Sequence, residues 1–85
     1  APGRSITRQE LAVMLHRYAG SPAATDKELH FADADKVSDY AREALGWAVE
    51  NGIVQGKGGG ILDPGGNATR AEAAAMLQRL CGKEQ

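Results

Sequence analysis

The feature that most constrains this 85-residue chain is an internal repeat. The stretch Ile6-Thr-Arg-Gln-Glu-Leu-Ala-Val-Met-Leu-His-Arg-Tyr-Ala-Gly20 returns, 62 residues on, as Ala68-Thr-Arg-Ala-Glu-Ala-Ala-Ala-Met-Leu-Gln-Arg-Leu-Cys-Gly82. Eight of the fifteen positions are identical: Thr7/Thr69, Arg8/Arg70, Glu10/Glu72, Ala12/Ala74, Met14/Met76, Leu15/Leu77, Arg17/Arg79 and Gly20/Gly82. A repeat spaced by tens of residues marks one supersecondary unit used more than once. The chain holds the end of one unit and a whole second unit, and reads as a piece cut from a longer array.

Each copy has the pattern of a helix. Leu11, Met14, Leu15 and Tyr18 fall at i, i+3, i+4 and i+7, and Ala73, Met76, Leu77 and Leu80 repeat that face in register. Both copies begin Thr-x-x-Glu, the capping box in which Thr7 with Glu10, and Thr69 with Glu72, satisfy the first free N–H groups. Both close on a glycine suited to the left-handed position after a helix, Gly20 and Gly82. Between them a third helix is predicted, capped by Ser38 or Asp39, with Tyr40, Ala41, Ala44, Leu45 and Ala48 as its apolar stripe. Gly46 inside it costs about 1 kcal/mol relative to Ala, which implies a close packing contact. Asn51-Gly52 ends it, and Ile53-Val54 folds back as the apolar part of the stop. Helices are therefore expected over 7–19, 39–51 and 69–81, burying Leu11, Leu15, Leu45, Trp47, Met76 and Leu77. The segment 55–67 is a Gly-rich loop anchored by Ile61-Leu62, and Ser21–Asp35 is a second connection anchored by Phe31. No stretch alternates like a strand, so the class is all-α. With one Trp, two Tyr and one Phe, the core rests on Ala, Leu, Val and Met, and stability is expected to be marginal.

Charge and cysteine content remove several functions. Ten basic against eleven acidic side chains leave a net charge of −1, without the surplus of a general nucleic-acid binder or a polybasic membrane anchor. No apolar run approaches the roughly 18 residues that span a bilayer. The chain opens on Ala1-Pro-Gly-Arg4 with no secretory leader, as expected of a fragment whose address has been removed. Cys81 is the single cysteine, so neither an internal disulfide nor a cysteine zinc site is available.

In Thr7-Arg8-Gln9-Glu10 and Thr69-Arg70-Ala71-Glu72, capping explains Thr and Glu but not Arg. A cation in the first turn opposes the helix dipole, which favours anions there by roughly 0.3–1 kcal/mol. Two readings account for the repeated choice. The guanidinium fork and the helix N-terminus together form a receptor for a carboxylate or phosphate, or the Arg pairs with a nearby carboxylate of the chain. Arg17 and Arg79 lie near helix C-termini, where a cation suits the dipole, and read as structural. Asp33-x-Asp35-x-Val-x-Asp39 lacks the Gly and Glu of a calcium loop, since Ser38 and Ala44 stand there. Gly56-Lys57-Gly58 lacks the earlier Gly and the following Ser/Thr of a P-loop. His16 and His30 have no ligand spacing and read as solvated or capping residues. Cys81 has no evident base and reads as an idle thiol. Trp47 reads first as core, with an exposed edge suited to a sugar as the second reading. No nucleophile–base pair, metal set or cofactor motif stands out, so the chain is not expected to be an enzyme.

Phe31-Ala-Asp33, Asp39-Tyr-Ala41, Trp47-Ala48, Asn51-Gly-Ile-Val-Gln-Gly56, Asp63-Pro64 and Thr69-Arg-Ala-Glu72, in that order, resemble one complete S-layer homology (SLH) motif. Residues 1–20 resemble the final helix of a preceding motif, 21–30 a linker, and 31–85 the complete one. The resemblance implies about one and a partial helix–loop–helix motif of a pseudo-threefold bundle, usually of three motifs. It implies non-covalent anchoring of a bacterial surface protein, outside the cell, to acidic cell-wall polysaccharide, often pyruvylated, with neighbouring SLH motifs as the other partners. On this likeness Arg8, Arg70, Trp47, Tyr40 and Asp39 are candidate ligand-binding residues, and the acidic ligand lies in a groove between adjacent motifs. Tyr40 stands where Trp is commoner, Gln9 replaces Ala, and Ala68 replaces Ile. The missing opening helix of the first motif implies self-association or helix exchange between copies. The competing function is a self-assembly or protein-interaction module that does not touch glycan.

Overall fold

The computed structural model describes residues 6–25, 29–56 and 58–83. The opening Ala1–Arg4 and Lys57, both weighed in the sequence, lie outside the described residues. In chain order come helix α1 (Arg8–Tyr18), a 3₁₀ turn (Ala34–Lys36), a second 3₁₀ turn (Asp39–Ala41) leading directly into helix α2 (Arg42–Glu50), and helix α3 (Arg70–Lys83). Among the described residues there is no strand, only one isolated antiparallel bridge between Thr7 and Asn67.

The helix starts follow from local chemistry. At α1 the Glu10 N–H donates to Thr7 Oγ1 at 3.2 Å and the Thr7 N–H donates to Glu10 Oε1 at 2.8 Å. At α3 the Glu72 N–H donates to Thr69 Oγ1 at 3.0 Å and the Thr69 N–H to Glu72 Oε1 at 2.8 Å. The start of α2 departs from expectation. Neither Ser38 nor Asp39 caps through its side chain; the helix is entered through the 3₁₀ turn at Ala41. Ser38 instead exchanges two hydrogen bonds with the Gln9 amide, which tether the entry of α2 to the first turn of α1.

Two of the three stops are glycine-terminated. After α1, Gly20 adopts φ +95°, the Ser21 N–H donates to the His16 carbonyl at 2.8 Å and the Gly20 N–H to that of Arg17 at 3.0 Å. After α2, Gly52 adopts φ +72° and the Ile53 N–H donates to the Ala48 carbonyl at 2.8 Å, with Ile53 and Val54 buried behind it. Gly82 does not stop α3, which runs on to Lys83. A glycine permits the left-handed turn but does not compel it; Gly52 is held there because Ile53 and Val54 have a core to enter.

Ala12 and Leu15 of α1, Ala41, Ala44, Leu45, Trp47 and Ala48 around α2, Ile53, Val54 and Leu62 from the loops, and Met76 and Leu80 of α3 form one cluster. α1 packs chiefly on α2 and more lightly on α3. Gly46 is buried within α2. Leu62 is fully buried and anchors the long loop, whereas Ile61 is 39% exposed.

The two repeated helices bury different faces, which corrects the expected stripe. In α1, Arg8, Ala12, Leu15 and His16 are buried, Leu11 is half-buried, and Met14 and Tyr18 (69% exposed) face out. In α3 the equivalents Arg70, Ala74, Leu77 (48% exposed) and Gln78 are exposed, while Met76 and Leu80, the equivalents of Met14 and Tyr18, are buried. Each repeated helix thus carries two apolar edges, and each of the two helices covers a different one. Tyr40, expected in the α2 stripe, also lies outside the core.

Candidate functional site

The two Thr-Arg-x-Glu turns share a sequence and differ in surroundings. The N-terminus of α1 is covered by the loop before α3: the Arg8 N–H donates to the Gly66 carbonyl at 2.9 Å and the Gln9 N–H to that of Pro64 at 3.0 Å. Arg8 is only 4% exposed, and its side chain donates through Nε to the Leu62 carbonyl at 3.0 Å and through NH2 to the Gln55 carbonyl at 2.8 Å. Its NH1 forms an ion pair with the Glu72 carboxylate. Glu72 is therefore shared, with Oε1 closing the α3 capping box and Oε2 holding the arginine of the preceding repeat. At Arg8 the pairing reading holds, with a carboxylate that no spacing rule connects to it. Arg70 is exposed, and its side chain makes no hydrogen bond or ion pair among the described residues.

A groove of about 330 Å³ opens between the start of α1, the turn Val54–Gly56 and one face of α3. Its charged lining is Arg8, Glu72 and Arg79; Ala71, Ala75 and Met76 supply its apolar wall. Sequence reasoning placed Arg79 outside the site, and nothing in the sequence connects Gln55 with Arg8. A guanidinium beside an apolar wall is the arrangement that takes an anionic group attached to a carbon skeleton, because poor solvation strengthens a charge-assisted hydrogen bond.

Asp33, outside the groove lining, holds the loop whose Leu62 carbonyl receives Arg8, and Gly56 lines the groove itself. The Asp33 carboxylate accepts the Leu62 N–H at 2.9 Å and the Asp63 N–H at 2.8 Å. A Cβ added at Gly56 would sit 2.8 Å from Phe31 Cε1 and 2.9 Å from the Ile61 carbonyl oxygen, so only glycine allows this approach. The Leu62 N–H, with the Asp63 N–H and the Lys36 charge, holds the Asp33 carboxyl below the usual carboxylate value. A carboxyl whose folded value is depressed stabilises the fold above its unfolded value, about 3.9, and loses that contribution as pH falls through the folded one. Urea midpoints measured from neutral pH into acid are therefore expected to fall less steeply for Asp33→Asn than for the parent, the two curves converging at the acid end.

The other candidates are scattered. Trp47 is 5% exposed, its ring 5.2 Å from that of His16 at an interplanar angle of 54°, so the indole lies in the core. His16 is buried rather than solvated, and its Nε2–H donates to the Pro22 carbonyl at 2.7 Å. Asp39 and Tyr40 are exposed on the 3₁₀ turn tethered to Gln9, outside the groove lining. Cys81 is exposed. Among the described residues no cluster of His, Cys, Asp or Glu could hold a metal, and no helix is long and apolar enough to cross a membrane.

The sequence itself is similar to known proteins. Residues 30–74 match the family model described as the S-layer homology domain. The chain is 37% identical over 96% of its length to an amylopullulanase of Thermoanaerobacterium thermosulfurigenes, of which it covers 5%. It is 33% identical over 96% of its length to the exoglucanase XynX of Acetivibrio thermocellus, covering 8% of that protein. It is 34% identical over 88% of its length to a surface-layer 125 kDa protein of Lysinibacillus sphaericus, covering 6% of it. The chain thus spans less than a tenth of each of these relatives. No solved structure matches it.

Proposed function

We propose, since this chain belongs to the S-layer homology (SLH) domain family of cell-surface anchoring modules, that it holds its parent protein on the bacterial wall by binding an acidic wall polysaccharide in the groove beside Arg8. The observation that carries this reading is the groove itself. It lies between the end of one repeat and the body of the next, with two guanidinium groups, one carboxylate and an apolar wall. Arg8 both fastens the two repeats together and lines the space between them. The acidic substituent, such as a pyruvate ketal, meets the cationic lining while ring C–H faces lie on Ala71, Ala75 and Met76. Tyr40 and Asp39, on the exposed turn tethered to Gln9, offer a stacking face and a hydroxyl acceptor to sugars further along the polymer.

Arg70 is read through its counterpart. The exposed Arg70, Ala74, Leu77 and Gln78 are the equivalents of the residues that α1 buries against the second repeat. A neighbouring SLH motif covers them in the parent protein, in keeping with a pseudo-threefold bundle, and completes a second groove lined by Arg70. Arg70→Ala is then expected to leave the unfolding free energy of the 85-residue chain within about 0.5 kcal/mol of the parent, as for an exposed, unpartnered side chain. In a protein with the following motif restored, the same change is expected to weaken wall-polymer binding on the order of tenfold to a hundredfold, the worth of a bidentate charge-assisted contact.

The competing reading, self-assembly without glycan, draws on the same exposed Leu77 edge, which a second copy of the chain could cover. Sedimentation with purified cell walls separates the two. Binding that disappears when the acidic secondary polymer is chemically stripped from the wall supports anchoring. Binding that survives stripping, or is absent from intact walls while the chain self-associates, supports assembly.

A further inference from the structure

Among the described residues the groove has one cation without a carboxylate partner, and it is not the one the repeat makes conspicuous. Arg8 spends three of its donors inside the chain and its charge is matched by Glu72. Arg79 lines the same groove, is exposed, and makes a single hydrogen bond among the described residues, from NH1 to the Ile53 carbonyl at 3.2 Å. The dipole account of Arg79 weakens because α3 continues to Lys83, which leaves Arg79 short of the last turn, and because its guanidinium turns to a loop carbonyl instead of the helix end. Arg17, its equivalent, does lie in the last turn of α1. Among the described lining residues, two guanidinium groups stand against one carboxylate, a surplus of one positive charge beside Met76 and Ala75. Geometry and charge point to the same residue.

We propose that Arg79 is the anion-recognising residue of the groove, its guanidinium oriented by the Ile53 carbonyl and its remaining donors directed to the acidic substituent of a bound saccharide. The proposal rests on the wall-polysaccharide reading and deepens it by naming the contact that makes binding depend on charge. Arg8 is then a positioning residue that builds the cleft, and Arg79 supplies the contact within it. The Ile53 tether fixes one edge of the fork, so ordering it around a ligand costs less than ordering a free side chain.

The test is calorimetric titration of the 85-residue chain, as parent, Arg79→Gln and Arg79→Lys, with purified wall polymer at several salt concentrations. Denaturant midpoints are followed alongside. The polymer is used intact, after mild acid removal of carboxylate ketals, and after removal of phosphate, which distinguishes the two sources of negative charge. Arg79→Gln is expected to weaken binding to intact polymer at least tenfold and to flatten its salt dependence, at a little-changed midpoint. Arg79→Lys should restore part of the affinity and most of the salt dependence, because charge returns without the fork. Gln and parent chains binding alike would overturn the proposal while leaving the wall-polymer reading intact. Equal losses in the Gln and Lys chains, in step with lowered midpoints, would also overturn it and make Arg79 a purely structural tie. A parent chain that does not bind intact polymer overturns both.

Discussion

Arg8→Ala is expected to lower the unfolding free energy by about 3 kcal/mol, the low end of the cost of breaking a buried ion pair, since the guanidinium is buried but its partner Glu72 is partly exposed. The loss has two sources. The Leu62 and Gln55 carbonyls lose their donors, and Glu72 keeps its charge without the guanidinium that offsets it. The relief of removing a cation from a helix N-terminus, roughly 0.3–1 kcal/mol, does not offset this. In a domain whose whole stability is on the order of 5 kcal/mol, that is most of the margin. Arg8→Lys should recover only part, because an ammonium cannot reach two carbonyls and a carboxylate with the geometry of the fork. Denaturant unfolding followed by circular dichroism measures both variants. A midpoint for Arg8→Ala as little changed as that expected for Arg70→Ala would contradict the division drawn between the two arginines.

The second large effect is expected at Trp47. Its indole packs against His16 and within the cluster formed by α1, α2 and the loop residues Ile53 and Val54. Trp47→Ala removes the largest side chain of a core otherwise built mainly from Ala, Val, Leu, Ile and Met, and is expected to cost about 3–5 kcal/mol. Trp47→Phe should cost less, since most of the ring volume remains. The Phe variant also separates core from ligand contact. Wall-polymer affinity close to the parent's in the folded Phe variant fits a core residue, whereas a large loss of affinity at little-changed stability would place the indole in the binding site.

The starts of α1 and α3 were legible because the capping bonds close within three residues, Thr7 with Glu10 and Thr69 with Glu72. The stop at Asn51-Gly52 was legible because the apolar pair that completes it follows directly in the chain. The buried faces were not. Leu15 and Leu77 occupy equivalent positions in nearly the same local sequence, yet one is buried and the other exposed, because burial depends on which element lies alongside. Periodicity fixes the apolar edges of a helix but not their partners. Arg8 and Arg70 show the same limit at the site. Both sit one residue after a capping Thr, and what separates them is the Leu62 and Gln55 carbonyls and Glu72, residues far along the chain brought together by the loop. Arg79 reads as structural in the sequence because the helix is expected to end near it. The extra turn to Lys83 removes that explanation.

The central claim is that the acidic polymer lies in the groove between the start of α1 and α3. Its most direct test is the two-dimensional amide spectrum of the isotopically labelled chain, recorded as purified wall-polymer fragments are added. The expected result is saturable shifts concentrated at Gln55, Gly56, Ala71 and Ala75, fading as salt is raised. Saturable binding with these four amides unmoved, the shifts lying elsewhere on the chain, would contradict it.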